Sequence, residues 1–322
     1  MTFLMKALMI TNFGGPEVFV QREVEKPTPG KNQVLVKVCA SSVNPADCGV
    51  RRGLFPPRRE LPAIIGFDVS GVIEAVGENV QDYKVGDEVY YAIGHFDNSG
   101  AYAEYHVANE SIIAKKPVNL SHTQAASVPV AGGTAWTALI DKANIKVGET
   151  VLIHGGAGGV GSFAIQIAKA AGAYVYTTCG RYDFDLVKSI GADRAIDYHS
   201  ENFIDIIMRE THGEGVDVTF STVAGELLAK SLPVIKFDGR GVTVTGIQGD
   251  LNPAIAKNIT IHFVHLDNPR PKLEALKTLI ERDQINPVIG MTFPLDRVAQ
   301  AHQKFEERGK DVRGKIVIQV SC

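Results

Sequence analysis

The stretch Thr150-Val-Leu-Ile-His-Gly-Gly-Ala-Gly-Gly-Val-Gly161 is the densest chemical signal in the chain. Its glycines at 156, 158 and 161 read G-x-G-x-x-G. An apolar run, Thr150–His154, precedes them, and a helix-compatible run, Gly159–Ala171, follows. In that setting the first glycine makes a tight turn, the second lets a pyrophosphate approach the backbone, and the third lets helix pack on strand. The start of the helix offers unpaired N–H groups and the positive end of its dipole to phosphate oxygens. Gly156, Ala157, Gly158, Gly159, Val160 and Gly161 are therefore expected to bind a dinucleotide. The alternative is a tight strand–helix turn with no ligand.

The residues past the turn bear on which dinucleotide. A site for NAD usually places an acid about 20 residues beyond the motif to hold the ribose 2′-hydroxyl. Here that region is Thr177-Thr178-Cys179-Gly180-Arg181, with one arginine and no acid. A guanidinium suits a 2′-phosphate, so NADPH is expected and Arg181 is its candidate ligand. A solvated surface arginine is the alternative. The nearest acid, Asp183, is expected to cap the following helix.

These residues need elements to position them. Six apolar runs alternate with helical stretches: Thr150–His154, Tyr174–Thr178, Ala195–Asp197, Val216–Ser221, Gly241–Thr245 and Thr260–Val264. Helices are expected at Gly159–Ala171 and Asp183–Ile190, each stopped by a glycine. Such alternation implies right-handed βαβ units in a doubly wound parallel sheet. Before it, short runs at Val34–Cys39, Val69–Val76, Glu88–Ala92 and Tyr102–Val107 read as strands of a barrel-like or sandwich β domain. Helical stretches are expected at Thr123–Ser127 and Thr134–Ala143. After the six runs come expected helices Lys272–Arg282 and Leu295–Arg308 and a last strand, Lys315–Val320. That tail is too short to stand alone and is expected to complete the first domain. The expected division is 1–123 with 266–322, and 124–265.

Composition excludes other classes. The chain has 322 residues, 45% hydrophobic and 21% charged, which suits two packed domains and not a disordered chain. A net charge of −3 gives no basic excess for nucleic acid or a membrane surface. Val151–Ala168 lacks acidic and basic residues, but five glycines in seven residues argue against a membrane helix. Met1–Ile10 carries Lys6 and no small-residue cleavage site, and reads as a first strand. Four cysteines occur, at 39, 48, 179 and 322, with no C-x-x-C pair. A disulfide framework is not expected in a chain this large, and a reduced cytoplasmic setting is.

Further segments carry a family resemblance. Gly148-Glu149 and Leu152, then Gly156–Gly161 with Gln166 and Lys169, resemble the signature of the zinc-free quinone oxidoreductase branch of the medium-chain dehydrogenase/reductase superfamily. Asn44-Pro45-Ala46-Asp47 with Arg51 and Gly53 resembles its N-P-x-D-x-x-x-R-x-G segment. Gly66-Phe67-Asp68-Val69-Ser70-Gly71 resembles its G-x-D-x-x-G strand. Val128–Ala138 resembles the entry to the cofactor domain, and Val312–Val317 its C-terminal strand. The resemblance implies a GroES-like β-rich catalytic domain plus a Rossmann domain, with the active site in a cleft between them. It implies hydride transfer from NADPH to a quinone or an α,β-unsaturated carbonyl, a small-molecule substrate.

It also implies site residues. Asn44 and Thr134 are the catalytic candidates near the nicotinamide; a turn residue and a helix cap are the alternatives. Gly180 and Tyr198 would flank the adenosine phosphate, Val223 and Ala224 the ribose side, and Gly246 the nicotinamide. Cleft-lining tyrosines of some quinone-reducing relatives correspond here to Gly49 and Phe55; Phe55 could stack on a flat substrate, and Tyr102 is a polar substitute or a packed strand residue. Zinc-dependent relatives use a cysteine where this chain has Asn44 and a histidine where it has Phe67. No cysteine lies between Ser121 and Ile140. No catalytic zinc is expected. A homodimer formed by edge pairing through Thr260–Val264 is expected. A protein that binds NADPH with little turnover, as a structural or redox-sensing component, is the competing reading.

Overall fold

The computed structural model describes residues 3–55, 59–94, 99–266, 270–307, 312–320 and 322. The chain forms two units, residues 1–131 with 267–281 and 289–322, and residues 132–266 with 282–288. Arg308 of the expected helix Leu295–Arg308 lies outside the described residues.

The first unit opens with β1 (Leu4–Ile10), β2 (Phe19–Glu25) and β3 (Gln33–Val43), followed by α1 (Pro45–Arg51). Then come β4 (Ala63–Ile64), β5 (Asp68–Val76), β6 (Glu88–Ala92), β7 (Tyr105–Asn109), β8 (Ala114–Lys115) and α2 (His122–Ala125). Helix α3 (Pro129–Trp136) leads into a π-helical stretch, Thr137–Lys142, at the start of the second unit.

The second unit alternates strand and helix as the apolar runs predict. It contains β9 (Thr150–His154), α4 (Gly159–Ala170), β10 (Tyr174–Cys179), α5 (Phe184–Ser189), β11 (Arg194–Asp197), α6 (Phe203–Glu210), β12 (Val216–Ser221), α7 (Leu227–Ser231), β13 (Ile235–Thr243), α8 (Asn252–Ala256) and β14 (Thr260–Phe263). The strands form one sheet in the order β11-β10-β9-β12-β13-β14, every pairing parallel. That is the Rossmann order, with the reversal of direction between β10 and β12 around the central β9. Leu152, Tyr176, Ile196 and Val216 bury a face against Ile206 and Ile207 of α6. Each large apolar side chain so buried contributes roughly 1.5–3 kcal/mol.

The chain then returns to the first unit with α9 (Arg270–Glu281), β15 (Ile289–Pro294), α10 (Val298–Glu307) and β16 (Lys315–Gln319). Between α9 and β15, residues 282–288 belong to the second unit, where the Gln166 side chain of α4 donates to the Asn286 carbonyl and accepts from its N–H. The first unit holds a three-stranded sheet, β2-β1-β4, and a larger one in the order β15-β16-β3-β5-β6-β8. Strand β3 organises the larger sheet. One edge pairs with β5; the other pairs with β7 over Gln33–Lys37 and with β16 over Ala40–Val43.

One expectation is overturned here. Cys39 on β3 and Cys322 just beyond β16 are joined as a disulfide, with Cα atoms 4.8 Å apart. Antiparallel pairing of β16 with β3 brings them together, with Val320 N–H donating to the Cys39 carbonyl. The sequence separation of 283 residues hid the pair from any spacing rule. Cys48 and Cys179 are free and buried.

Closing so long a loop should stabilise the oxidised chain by about 2–4 kcal/mol. A reductant, or Cys322→Ser, should therefore lower the melting temperature by several degrees. Superimposable melting curves with and without reductant would mean that the bond is open in solution.

Candidate functional site

The expected nucleotide residues all lie at one edge of the parallel sheet. Gly155 and Gly156 follow β9, Gly180 and Arg181 follow β10, Tyr198 follows β11, Val223 and Ala224 follow β12, and Gly246 lies just beyond β13. These are the carboxyl ends of the strands, where doubly wound sheets bind ligands. The three motif glycines differ in their surroundings. A Cβ on Gly156 would overlap the Thr177 hydroxyl, and one on Gly161 would overlap the Gly155 carbonyl. A Cβ on Gly158 would meet only the Gly155 oxygen, at 3.3 Å, and Gly158 is exposed. Gly156 and Gly161 thus close the turn, while Gly158 faces open space. Gly158 is also the N-cap of the 12-residue α4, whose first N–H groups have no intrahelical partner. A side chain at Gly158 would fill this cradle, which fits a pyrophosphate.

Arg181, Tyr198, Val223, Ala224 and Gly246 are exposed around the cradle. The Arg181 guanidinium lies 5.2 Å from the centre of the Phe184 ring. Asp183 sits at the N-cap of α5 as expected, but its side chain makes no capping hydrogen bond. Asp183 is buried, Asp185 two residues further on is exposed, and Asp197 at the end of β11 lies within reach of the Arg181 charge. Thr134 is buried on α3.

In the first unit, three of the family-like segments meet at one buried carboxylate. Asp68 opens β5 with no solvent exposure. Its Oδ2 accepts from Ser42 Oγ, from Asn44 Nδ2 at 2.8 Å and from Lys315 Nζ at 3.4 Å. Its Oδ1 accepts from the Val130 N–H at 2.8 Å, in the first turn of α3. Lys315, the first residue of β16, also donates to Asn44 Oδ1 and to the Val43 carbonyl. Asp47 completes the cluster at the third position of α1, accepting from the Asn44 backbone N–H at 2.7 Å and from Asn44 Nδ2 at 3.1 Å. Two carboxylates thus face one ammonium. Burial, with the Asp68 charge adding to it, pushes the Asp47 carboxyl up to about 7. Its Oδ1 has no hydrogen-bond partner, which fits a proton resting there.

This geometry corrects the expected role of Asn44. Its side-chain N–H groups donate to Asp47 and Asp68, Lys315 donates to its oxygen, and the residue is 2% exposed. No N–H remains to polarise a substrate carbonyl. Sequence reading missed Lys315 and Asp68 as its partners, although both stand inside segments it had singled out.

Tyr102 takes the packed alternative. It is fully buried, and its hydroxyl contacts His302 Nε2 at 3.0 Å and the Ser42 carbonyl at 3.3 Å. His302 in turn contacts Arg51 Nη1 through Nδ1 at 3.0 Å. Arg51 is fully buried and pairs with Glu306 of α10 at 2.5 Å. The arginine of the N-P-x-D-x-x-x-R-x-G segment is therefore a brace between α1 and α10. Tyr102 belongs to that brace. Phe55 is 48% exposed and its ring covers Gly49, where a Cβ would overlap it. The two places where relatives carry tyrosines are thus in contact.

Comparison with known proteins is consistent along the whole chain. Residues 30–118 match the alcohol dehydrogenase GroES-like domain family, and residues 190–318 match the family described as zinc-binding dehydrogenase. Human quinone oxidoreductase is 36% identical over 98% of both chains. The chain belongs to the quinone oxidoreductase branch of the medium-chain dehydrogenase/reductase superfamily. It is an oxidoreductase, and its substrate is a small molecule. The quinone oxidoreductase of Coxiella burnetii superposes with a TM-score of 0.90 at 34% identity, covering 99% of this chain and 100% of that one. A chloroplastic NADPH-dependent alkenal/one oxidoreductase of Arabidopsis thaliana is 34% identical over 98% of this chain and 79% of its own. A structure described as an NAD-dependent alcohol dehydrogenase superposes with a TM-score of 0.92 at 31% identity, covering 98% of this chain and all of that one. Cofactor choice in this oxidoreductase must accordingly be argued from its own residues.

The zinc in the second family's description does not fit the expected catalytic positions. Asn44 has its amide engaged as above, and Phe67 is a fully buried hydrocarbon ring. Neither position offers a ligand set for tetrahedral zinc.

The glycines give a paired test. Gly158→Val should abolish dinucleotide binding and leave the melting temperature within a few degrees of wild type. Gly161→Val should destabilise the second unit itself, because the overlap there is with backbone. Unchanged cofactor affinity in Gly158→Val, measured by titration, would place the pyrophosphate elsewhere.

Proposed function

We propose that this oxidoreductase uses NADPH to reduce a quinone or an α,β-unsaturated carbonyl, with no catalytic metal. The observation that carries the reading is the carboxyl edge of the second unit, where an open glycine cradle adjoins an exposed arginine, Arg181, that follows β10. In this reading residues 124–265 form the NADP-binding domain, and 1–123 with 266–322 the catalytic and substrate domain. Bound NADPH supplies a hydride, and the residues of this chain bind, orient and shield. The N–H groups of Gly156–Gly161 hold the pyrophosphate. Arg181, with Gly180 and Tyr198 beside it, holds the 2′-phosphate through charge-assisted hydrogen bonds. Val223 and Ala224 border the ribose, and Gly246 leaves space for the nicotinamide side. Thr134 is the polar contact for the substrate carbonyl, and Asn44 fixes the cluster of Asp68 and Lys315 as a positioning residue. Phe55 offers a face for a flat substrate to stack on.

The direct test is NADPH consumption with a panel of quinones and enals, run in a metal chelator. Turnover with at least one class is expected, at the same rate with and without chelator. Tight NADPH binding with no turnover on either class would leave a nucleotide-binding protein that does not reduce these substrates.

Cofactor choice is tested separately at Arg181. An exposed guanidinium–phosphate contact is worth the lower end of about 1.5–3 kcal/mol. Arg181→Ala should therefore weaken NADPH about tenfold and leave NADH nearly unchanged, with the gap shrinking at high salt. Equal losses for both cofactors would remove Arg181 from the phosphate site.

We also propose a homodimer through β14, the last strand of the parallel sheet, where Phe263 is 62% exposed. An unpaired strand edge beside an exposed aromatic favours pairing with a second copy. Sedimentation should give twice the chain mass, and Phe263→Lys should shift it toward the monomer. A wild-type monomer at micromolar concentration would exclude the dimer.

A further inference from the structure

We propose that Cys39, Cys322 and His122 form a binding site for a soft divalent cation of the zinc class, open when the two cysteines are reduced and closed by their disulfide. One donor atom from each of the three residues lies within 4.8 Å of the others. Three separate elements deliver them. Cys39 is buried on β3, and His122 is the first residue of α2. Cys322 follows β16, brought in by the pairing of β16 with β3.

The donor set decides the ligand class. Two thiolates and an imidazole suit zinc or another thiophilic ion and disfavour calcium or magnesium. Zinc holds sulfur at about 2.3 Å and nitrogen at about 2.0–2.1 Å in a tetrahedron. Neighbouring donors of such a tetrahedron stand roughly 3.5–3.8 Å apart, inside the 4.8 Å that separates the present donor atoms at most. Forming the site requires the sulfurs to part and the imidazole to close in. Cys322 is exposed and is the residue with room to move, while Cys39 is held inside the sheet. Three protein donors leave the fourth position to water.

The histidine is already oriented from outside the cluster. One ring nitrogen contacts Ser70 Oγ at 2.8 Å and the other Glu88 Oε1 at 3.2 Å. Whichever nitrogen turns to the metal gives up one contact, and the other contact keeps the ring in place. A carboxylate or hydroxyl behind a metal-bound imidazole is the usual outer-shell arrangement. A disulfide needs none of this, so His122 is the residue that separates a cation site from a plain cross-link.

The chemistry balances with a dithiol as reductant. Two electrons and two protons pass to the protein, its S–S bond breaks, and the dithiol becomes a disulfide. Zinc then displaces the two thiol protons, which are released to solvent. The site lies five residues along β3 from Asn44, about 16 Å of extended strand, so it is not the position where zinc-dependent relatives hold catalytic metal.

The test uses the full chain in both redox states, with zinc and then cobalt as the probes. The reduced protein, freed of reductant, should take up one zinc per chain against a chromophoric chelator. Cobalt should produce thiolate-to-metal charge-transfer absorption. The oxidised protein should take up none. Cys322→Ser, at an exposed position, should lose both signals under reducing conditions while keeping its NADPH consumption, and His122→Ala should weaken uptake at least tenfold. Absence of uptake by the reduced wild type overturns the proposal, as does uptake that survives Cys322→Ser or is indifferent to His122→Ala. NADPH turnover is not the readout of metal binding, so failure of the catalytic reading would leave this test intact.

Discussion

A single buried carboxylate organises the first unit. Asp68 is taken out of water entirely, which is costly for an ionised group unless it is paired and hydrogen-bonded. Its neutralisation draws on four places in the chain: Ser42 on β3, Asn44 at the start of α1, the first turn of α3, and Lys315 on β16. Removing one partner of such a cluster leaves an uncompensated charge, typically at about 3–5 kcal/mol. The elements that carry the partners therefore depend on one another, although they are scattered along the chain. Burial, with the Asp68 charge adding to it, pushes up the carboxyl of the second acid, Asp47.

The two units solve different problems. The first is fastened by charge: the Asp68 cluster, the Arg51–Glu306 brace and the bond between Cys39 and Cys322 all tie early residues to late ones. In the second the nucleotide edge is made of backbone. It needs the absence of a side chain at Gly156 and Gly161 so that the turn can close. It needs the same absence at Gly158 so that the surface stays open. The sequence then adds a positive group, Arg181, at the end of β10. This division follows from what each unit must hold. A polyanionic cofactor is met by N–H dipoles and a guanidinium, while buried ionic clusters fix the relative positions of strands and helices.

Much of this was legible in the sequence. The parallel sheet was visible because fully buried strands read as apolar runs separated by glycine-stopped helices. Strand β13 was seen only from Gly241, since its first half contains Asp238 at a positive φ and Gly239. Strand β15 was missed because Ile289–Pro294 includes a glycine and a proline, which read as loop. The nucleotide edge could be assigned because its residues follow their strands in order. The Asp68 cluster could not, because a hydrogen bond over 247 residues leaves no periodicity or spacing. The same is true of Cys39 with Cys322. Asn44 was given a chemical role from its place in a motif, and the partners that engage its amide come from elsewhere in the chain. Tyr102 read more readily as packed than as a polar cleft residue, and its contact with His302 agrees with packing.

The long reach of the Asp68 cluster also bears on synthesis. A ribosome delivers Asp68 247 residues before Lys315, and the whole parallel sheet of the second unit emerges in between. Until Lys315 arrives, the two nascent carboxylates lack their buried counter-ion and keep that part of the first unit hydrated. The cluster is therefore complete only when β16, the last strand to be made, supplies Lys315.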